Sequence, residues 1–157
     1  MAKKPGPGDK APAFELPDDK GGTVSLDSFA GKKLVLYFYP KDDTSGCTKE
    51  AIEFSALKKD FTKAGASILG VSPDSVAAHQ KFKTKHKLDL ALGADEGKTM
   101  LESYGVWVEK SMYGRKYMGV ERTTFLIGKD GAIAEVWSKV KVPGHAEAVL
   151  AAAKALK

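Results

Sequence analysis

The unbroken apolar run Leu34-Val35-Leu36-Tyr37-Phe38-Tyr39 limits the possible folds more than any other stretch of the chain. It has the length of a strand without the alternation of a half-solvated one, and so it predicts a central strand buried on both faces. Such a strand needs covering layers on both sides of a sheet. Pro40 ends it. Beyond it, Cys47, Ala51, Phe54, Leu57 and Phe61 recur at intervals of four and three, the spacing of one helical face. A helix is therefore predicted from about Ser45 to Ala64, stopped by Gly65. Thr44 and Ser45 are good N-cap residues, and Glu50 suits a first turn. The chain's only cysteine thus falls in or next to the opening turn of a helix that leaves a buried strand.

That position has chemical meaning, because free backbone N–H groups and the positive end of the helix dipole favour an anion there. A free thiol of pKa about 8.5 is only a few per cent ionised at pH 7, and bringing it near 6 takes roughly 3.4 kcal/mol. A helix terminus supplies about 0.3 to 1 kcal/mol, or up to about 2 when partly buried. A reactive sulfur here requires a further cation. Cysteine is also, by burial habit, a small core hydrophobe, and position alone leaves both readings open.

The remaining punctuation fills in a single layered domain. Residues 1–12, rich in Pro, Gly and Lys, are expected to be a flexible tail, with one domain over 13–157. Ala13–Leu16 and Thr23–Leu26 flank a polar turn and predict a β-hairpin. Ser67–Val71 is a second short strand. Ser72-Pro73-Asp74 is expected to cap a helix running to about Lys85, and a strand, helix, strand order implies parallel pairing. Leu90–Leu92 reads as strand or loop, and Glu96–Tyr104 as a short helix before Gly105. The stretch Val106 to Gly119, with Trp107, Tyr113 and Tyr117, fits a core edge, a pocket wall or a partner surface equally well. Thr123–Ile127 and Ala132–Trp137 flank Gly128-Lys129-Asp130-Gly131 as an antiparallel hairpin. A final helix is expected from about His145 to Leu156.

Composition excludes several classes. The 25 basic and 20 acidic residues are interspersed, so a net charge of +5 describes a solvated surface and gives no case for nucleic acid. Only Arg115 and Arg122 among the basic residues are arginine, the type suited to fixing an anion with a planar fork of donors. One cysteine rules out an internal disulfide and a zinc site built on several thiolates, and His79, His86 and His145, read as surface or helix-end residues, show no ligand spacing. No metal or cofactor is expected. Met1 to Gly8 lack a signal-peptide core and no run reaches membrane-spanning length, so no membrane partner and a cytoplasmic location are expected.

The pattern Pro40-x-x-x-Thr44-x-x-Cys47 resembles the active-site signature of the peroxiredoxins, and the longer string from Tyr37 to Glu50 is similar to their bacterioferritin comigratory protein (peroxiredoxin Q) branch. The resemblance runs from about residue 11 to 150 and includes Gly105-Val106-Trp107, Met112-Tyr113-Gly114 and Arg122-x-Thr124-Phe125-Leu126-Ile127. It implies a thioredoxin-like α/β fold, a mixed central sheet flanked by helices with an N-terminal β-hairpin extension. It also implies reduction of hydroperoxides, with Cys47 as nucleophile, Thr44 as its hydroxyl partner, Arg122 as the cation and Pro40 as a shield over the pocket. Glu50 either orients Arg122 or favours the helix start.

Two departures from that family's pattern matter. Ile52 and Lys83 stand where relatives place a resolving cysteine, so the resemblance implies a 1-Cys form whose sulfenic acid is reduced by an external thiol, thioredoxin or glutaredoxin with glutathione. A monomer is expected from the branch. Competing readings are a thiol-disulfide oxidoreductase, weakened because Thr44 takes the first place of a would-be Cys-x-x-Cys, a sulfenic-acid sensor, and lysine-mediated nucleic-acid binding.

Overall fold

The computed structural model describes residues 4–157; residues 1–3 of the expected tail lie outside them. In chain order it forms β1 (Glu15–Pro17) and β2 (Thr23–Ser25), a 3-10 turn, β3 (Lys33–Phe38), α1 (Ser45–Ala56), α2 (Lys58–Lys63), β4 (Ala66–Ser72) and α3 (Val76–His86). There follow β5 (Ala91–Ala94), α4 (Thr99–Ser103), the hairpin β6 (Trp107–Met112) and β7 (Arg115–Val120), then β8 (Thr123–Ile127), β9 (Ile133–Trp137) and α5 (His145–Ala155). The main sheet has the order β5-β4-β3-β8-β9. β3 pairs parallel with β4 and antiparallel with β8, so the sheet is mixed and the expected thioredoxin-like plan holds.

β3 is buried along its whole length, and its alternation splits the core. Val35, Tyr37 and Tyr39 pack with Cys47, Ala51, Phe54, Phe61, Phe82 and Val149 under α1, α2, α3 and α5. Leu34, Leu36 and Phe38 face Phe14, Leu16, Leu101, Tyr104 and Phe125 on the other side. The Tyr37 ring lies over Gly70, its register partner, where an added Cβ would sit 2.7 Å from the ring, so β4 needs glycine at that point.

Several boundaries differ from expectation. The helix predicted over 45–64 is two, because Leu57 (ψ 5°) shares its N–H between the carbonyls of Glu53, Phe54 and Ser55 and bends the path before α2. The periodicity concealed this, since Phe61 returns to the same apolar face. α3 is capped by Ser75, whose hydroxyl accepts from the Ala78 N–H, rather than by Ser72-Pro73-Asp74. Asp74 is engaged elsewhere. The short helix predicted over 96–104 is confined to Thr99–Ser103, after Lys98 in the left-handed region. Residues 4–12 of the expected flexible tail carry backbone hydrogen bonds from Gly8 to Ile133 and from Ala11 to Gly131, and Lys4 pairs with Glu121. Val106 to Gly119 is mostly the β6–β7 hairpin, separate from the main sheet, with Tyr113 exposed at its tip.

Candidate active site

β3 delivers the chain to Pro40, and the loop that follows turns it into α1. Thr44 is the N-cap residue in extended conformation (φ −95°, ψ 157°), which makes Cys47 the third residue of the helix. The Thr48 N–H reaches the Thr44 carbonyl at 2.8 Å, whereas the N–H groups of Ser45, Gly46 and Cys47 precede the first intrahelical bond. No side chain caps them. The first turn therefore keeps its donors for a ligand.

The Cys47 side is the top of the core-facing stripe, and the residue is 2% exposed. Burial by itself fits the core-hydrophobe reading as well as the reactive one. What separates them is Arg122, brought across the sheet by the approach to β8: its Nη2 donates to Cys47 Sγ at 3.3 Å, and its Nη1 donates to Glu50 Oε1 at 2.7 Å. An inert core thiol has no need of a guanidinium. Burial works against the Arg122 charge, but the charges of Glu50 and Cys47 and the hydrogen bonds to both raise its pKa above the ordinary value. The guanidinium thus puts a fixed positive charge 3.3 Å from the sulfur. Gly46 gives the guanidinium room, since a Cβ there would sit 3.2 Å from Nη2.

Glu50 lies one helical turn after Cys47 and is 1% exposed. Burial pushes its carboxyl up to about 7, with the Arg122 charge and hydrogen bond pulling against this. Of the two roles left open by sequence, orienting Arg122 requires contact with it, and the two side chains meet at 2.7 Å. Its Oε2 and the Tyr37 hydroxyl are the buried side-chain oxygens without a hydrogen-bond partner among the described residues. Both belong to this corner of the core, consistent with orphaned polar groups gathering where function resides.

Thr44 is exposed, and its hydroxyl donates to the Lys41 carbonyl at 2.8 Å. Its proton is committed, so its oxygen is left to accept. Pro40 is half-buried at the exit from β3.

A second cluster, missed by the sequence reading, holds the same loop from behind. Asp42 Oδ1 accepts from the Tyr39 hydroxyl at 2.5 Å, and Oδ2 from His79 Nδ1 at 2.6 Å. His79 Nε2 donates to the Gly93 carbonyl at 2.9 Å, and the Asp42 N–H donates to Asp74 Oδ2 at 2.8 Å. His79 is therefore a fully buried histidine, not the surface or helix-end residue expected. Burial disfavours its charge, but the hydrogen bond and charge of Asp42 outweigh this and raise its pKa. Asp42, Asp74 and His79 have the composition of a metal site. Their ligand atoms are already bonded to one another or to the backbone. The available signal was the place of His79 beside Phe82 on the buried face of α3.

A family model described as the AhpC/TSA family matches residues 7–136. The chain is 49% identical to peroxiredoxin Bcp of Bacillus subtilis over 138 residues, 88% of each protein. The chain belongs to the peroxiredoxins. Among solved structures, peroxiredoxin Q of Xanthomonas campestris superimposes with a TM-score of 0.88 at 45% identity, over 98% of this chain and 97% of that one. A structure of the Xanthomonas campestris bacterioferritin comigratory protein, described for its alkyl peroxide reduction activity, matches with a TM-score of 0.88 at 44% identity, over 99% of this chain and 98% of that one. This peroxiredoxin is thus an enzyme of the Bcp/Q branch, a thiol-dependent peroxidase with one cysteine. Among its described residues no helix is long and apolar enough to cross a membrane.

Proposed function

We propose that Cys47 is the peroxidatic nucleophile of a 1-Cys cycle. The carrying observation is the 3.3 Å contact between the only sulfhydryl and Arg122 Nη2 at the start of α1. In the first step the Cys47 thiolate attacks one peroxide oxygen in line, an S–O bond forms, the O–O bond breaks, and the second oxygen leaves as hydroxide or alkoxide that takes up a proton. Negative charge moves from sulfur to the departing oxygen, and Arg122 with the free N–H groups of the first turn can follow it. Thr44, its proton held by the Lys41 carbonyl, accepts a hydrogen bond from the hydroperoxide O–H and so aims the substrate. Pro40 has no N–H to offer a competing water and restricts access by bulk. Glu50 fixes the plane of the guanidinium.

The product is a sulfenic acid on Cys47. With no second thiol in the chain, an external one, thioredoxin or glutaredoxin with glutathione, restores it. The reading is of a cytoplasmic monomer without metal, cofactor or nucleic-acid partner. Its test is intact mass after one equivalent of peroxide, together with steady-state peroxide turnover using each reductant in parallel. The wild type should gain one oxygen and turn over; Cys47→Ser should do neither. Reduction of insulin disulfides above the dithiothreitol blank, without peroxide turnover, would instead support the oxidoreductase reading.

A further inference from the structure

Beside Arg122 the surface opens into a cleft of about 530 Å³ lined by Val108, Glu109, Lys110, Glu121, Arg122, Lys139 and Val140. Its two walls come from different elements. Val108 and Lys110 lie on the half-buried face of β6, alternating with exposed Glu109 and Ser111. The opposite wall is the segment after β9, held against the site by the Val140 N–H on the Arg122 carbonyl at 3.0 Å, with Lys139 in the left-handed region at φ 49°.

The charge balance of this cleft is unusual. Glu121 is taken by Lys4 and by the Thr123 hydroxyl, and Glu109 leans towards Lys116 at 3.7 Å. Neither Lys110 nor Lys139 has an ion-pair partner among the described residues, although Lys110 is half-buried and shares the cleft with a guanidinium. Burial and the Arg122 charge both press its pKa down. The Glu121 charge offsets this in part, but Glu121 is held by Lys4 and Thr123 and Glu109 leans towards Lys116, so neither carboxylate pairs with the two lysines, whereas an anionic ligand would. Size narrows the ligand. A cleft of this volume suits a small molecule.

We propose that Lys110 and Lys139 form a carboxylate-binding subsite, and that the external thiol regenerating Cys47 is a small one that carries a carboxylate. The inference rests on the reading of Cys47 above and names the reductant class for it. Seated there, the thiolate sulfur of the ligand bonds to Cys47 Sγ as the sulfenic oxygen leaves as hydroxide, which takes up a proton to become water. A second equivalent attacks the ligand's own sulfur in the mixed disulfide, releasing the Cys47 thiolate and the oxidised dimer of the thiol.

The test uses a matched pair, N-acetylcysteine and its carboxamide, as reductants of protein oxidised by one equivalent of hydrogen peroxide. Second-order rate constants are corrected for thiolate fraction and taken at low ionic strength. The acid should react about tenfold faster with wild type, and the ratio should fall to about two in Lys110→Gln/Lys139→Gln. It should stay near the wild-type value in Lys129→Gln/Lys154→Gln, which removes equal charge outside the cleft. A wild-type ratio near one, or equal loss of the ratio in both double variants, overturns the subsite while leaving Cys47 as the nucleophile. If no sulfenic acid forms on Cys47, the parent reading falls and the subsite falls with it.

Discussion

Two buried ion pairs flank the Cys47 loop, and they are built to opposite specifications. In Asp42–His79, 2.6 Å apart, both carboxylate oxygens and both ring nitrogens are spent on protein partners, and the side chains are 5% and 0% exposed. In Glu50–Arg122, 2.7 Å apart, one carboxylate oxygen has no partner, the guanidinium side chain is 18% exposed, and its second nitrogen points at sulfur. A pair satisfied at every atom can only hold shape. A pair left unsatisfied next to a reactive atom retains capacity for the charge that chemistry creates, and it does so at a cost in stability. The backs of the loop and of the helix are thus fastened so that the front can remain open.

The sharpest way to break this comparison is to remove one member of each pair. His79→Gln or Asp42→Asn strands a buried charge and should cost about 3 to 5 kcal/mol in chemical denaturation, with part of that recovered in the double variant. Arg122→Met leaves Glu50 without its cation, but that carboxyl, already raised by burial to about 7, can take up a proton, so the unfolding free energy should stay within about 1 to 2 kcal/mol of wild type while kcat/KM for hydroperoxide falls about 10²- to 10³-fold, the range for losing an oriented charge donor. A crossed outcome, with Arg122→Met unfolding and His79→Gln merely inactive, would reverse the assignment of roles.

The two pairs also differ in how legible they were. Cys47, Glu50 and the apolar stripe of α1 were readable because helical spacing ties them together within one element, and Arg122 was found only through its resemblance-bearing segment before β8. The Asp42–His79 pair depends on residues from the loop, α3 and β5, so no local pattern announces it. Polarity then misled, since a histidine among lysines reads as solvent-facing until Gly93 and Asp42 are brought to it. The β6–β7 hairpin stayed open for the same reason: its alternation is real, but only the fold shows that the Lys110 face turns towards Arg122. The break at Leu57 was invisible because Phe61 of α2 continues the apolar periodicity of α1.

A finer contrast comes from pH. Glu50 has its carboxyl raised from about 4.5 to about 7, so its contribution to stability is full below about pH 4.5 and is lost as pH rises to 7. His145, buried against Phe54 and Trp137 with Nε2 2.7 Å from Thr124 Oγ1, is driven by burial and then by the Arg122 charge from 6.5 down to about 4. Its contribution is present above pH 6.5 and is lost as pH falls towards 4. The two slopes oppose each other with similar size, on the order of 3 kcal/mol each. Denaturation midpoints measured from pH 4.5 to 6.5 should therefore fall towards acid in Glu50→Gln and rise towards acid in His145→Gln, relative to wild type. His79 acts in a neighbouring window, since its raised pKa makes its contribution full below about 6.5 and lost at higher pH. Parallel profiles for all three variants would show that these groups do not sense the charges assigned to them.

The smallest expected effect probes the open pair without touching either charge. Gly46 carries no positive-φ constraint, so the backbone accepts alanine there, and the new Cβ would meet Arg122 Nη2 at 3.2 Å. The guanidinium has somewhere to give, because it borders the cleft, whereas Glu50 behind it is fixed in the core. Gly46→Ala should therefore shift Nη2 by a few tenths of an ångström and lower kcat/KM by about three- to tenfold, equivalent to about 1 kcal/mol, with stability kept or slightly raised by the better helix former. Hydroperoxides of increasing bulk sharpen the reading: if the loss arises from Arg122 geometry it is the same for all of them, and if the methyl group merely narrows the approach it grows with substrate size.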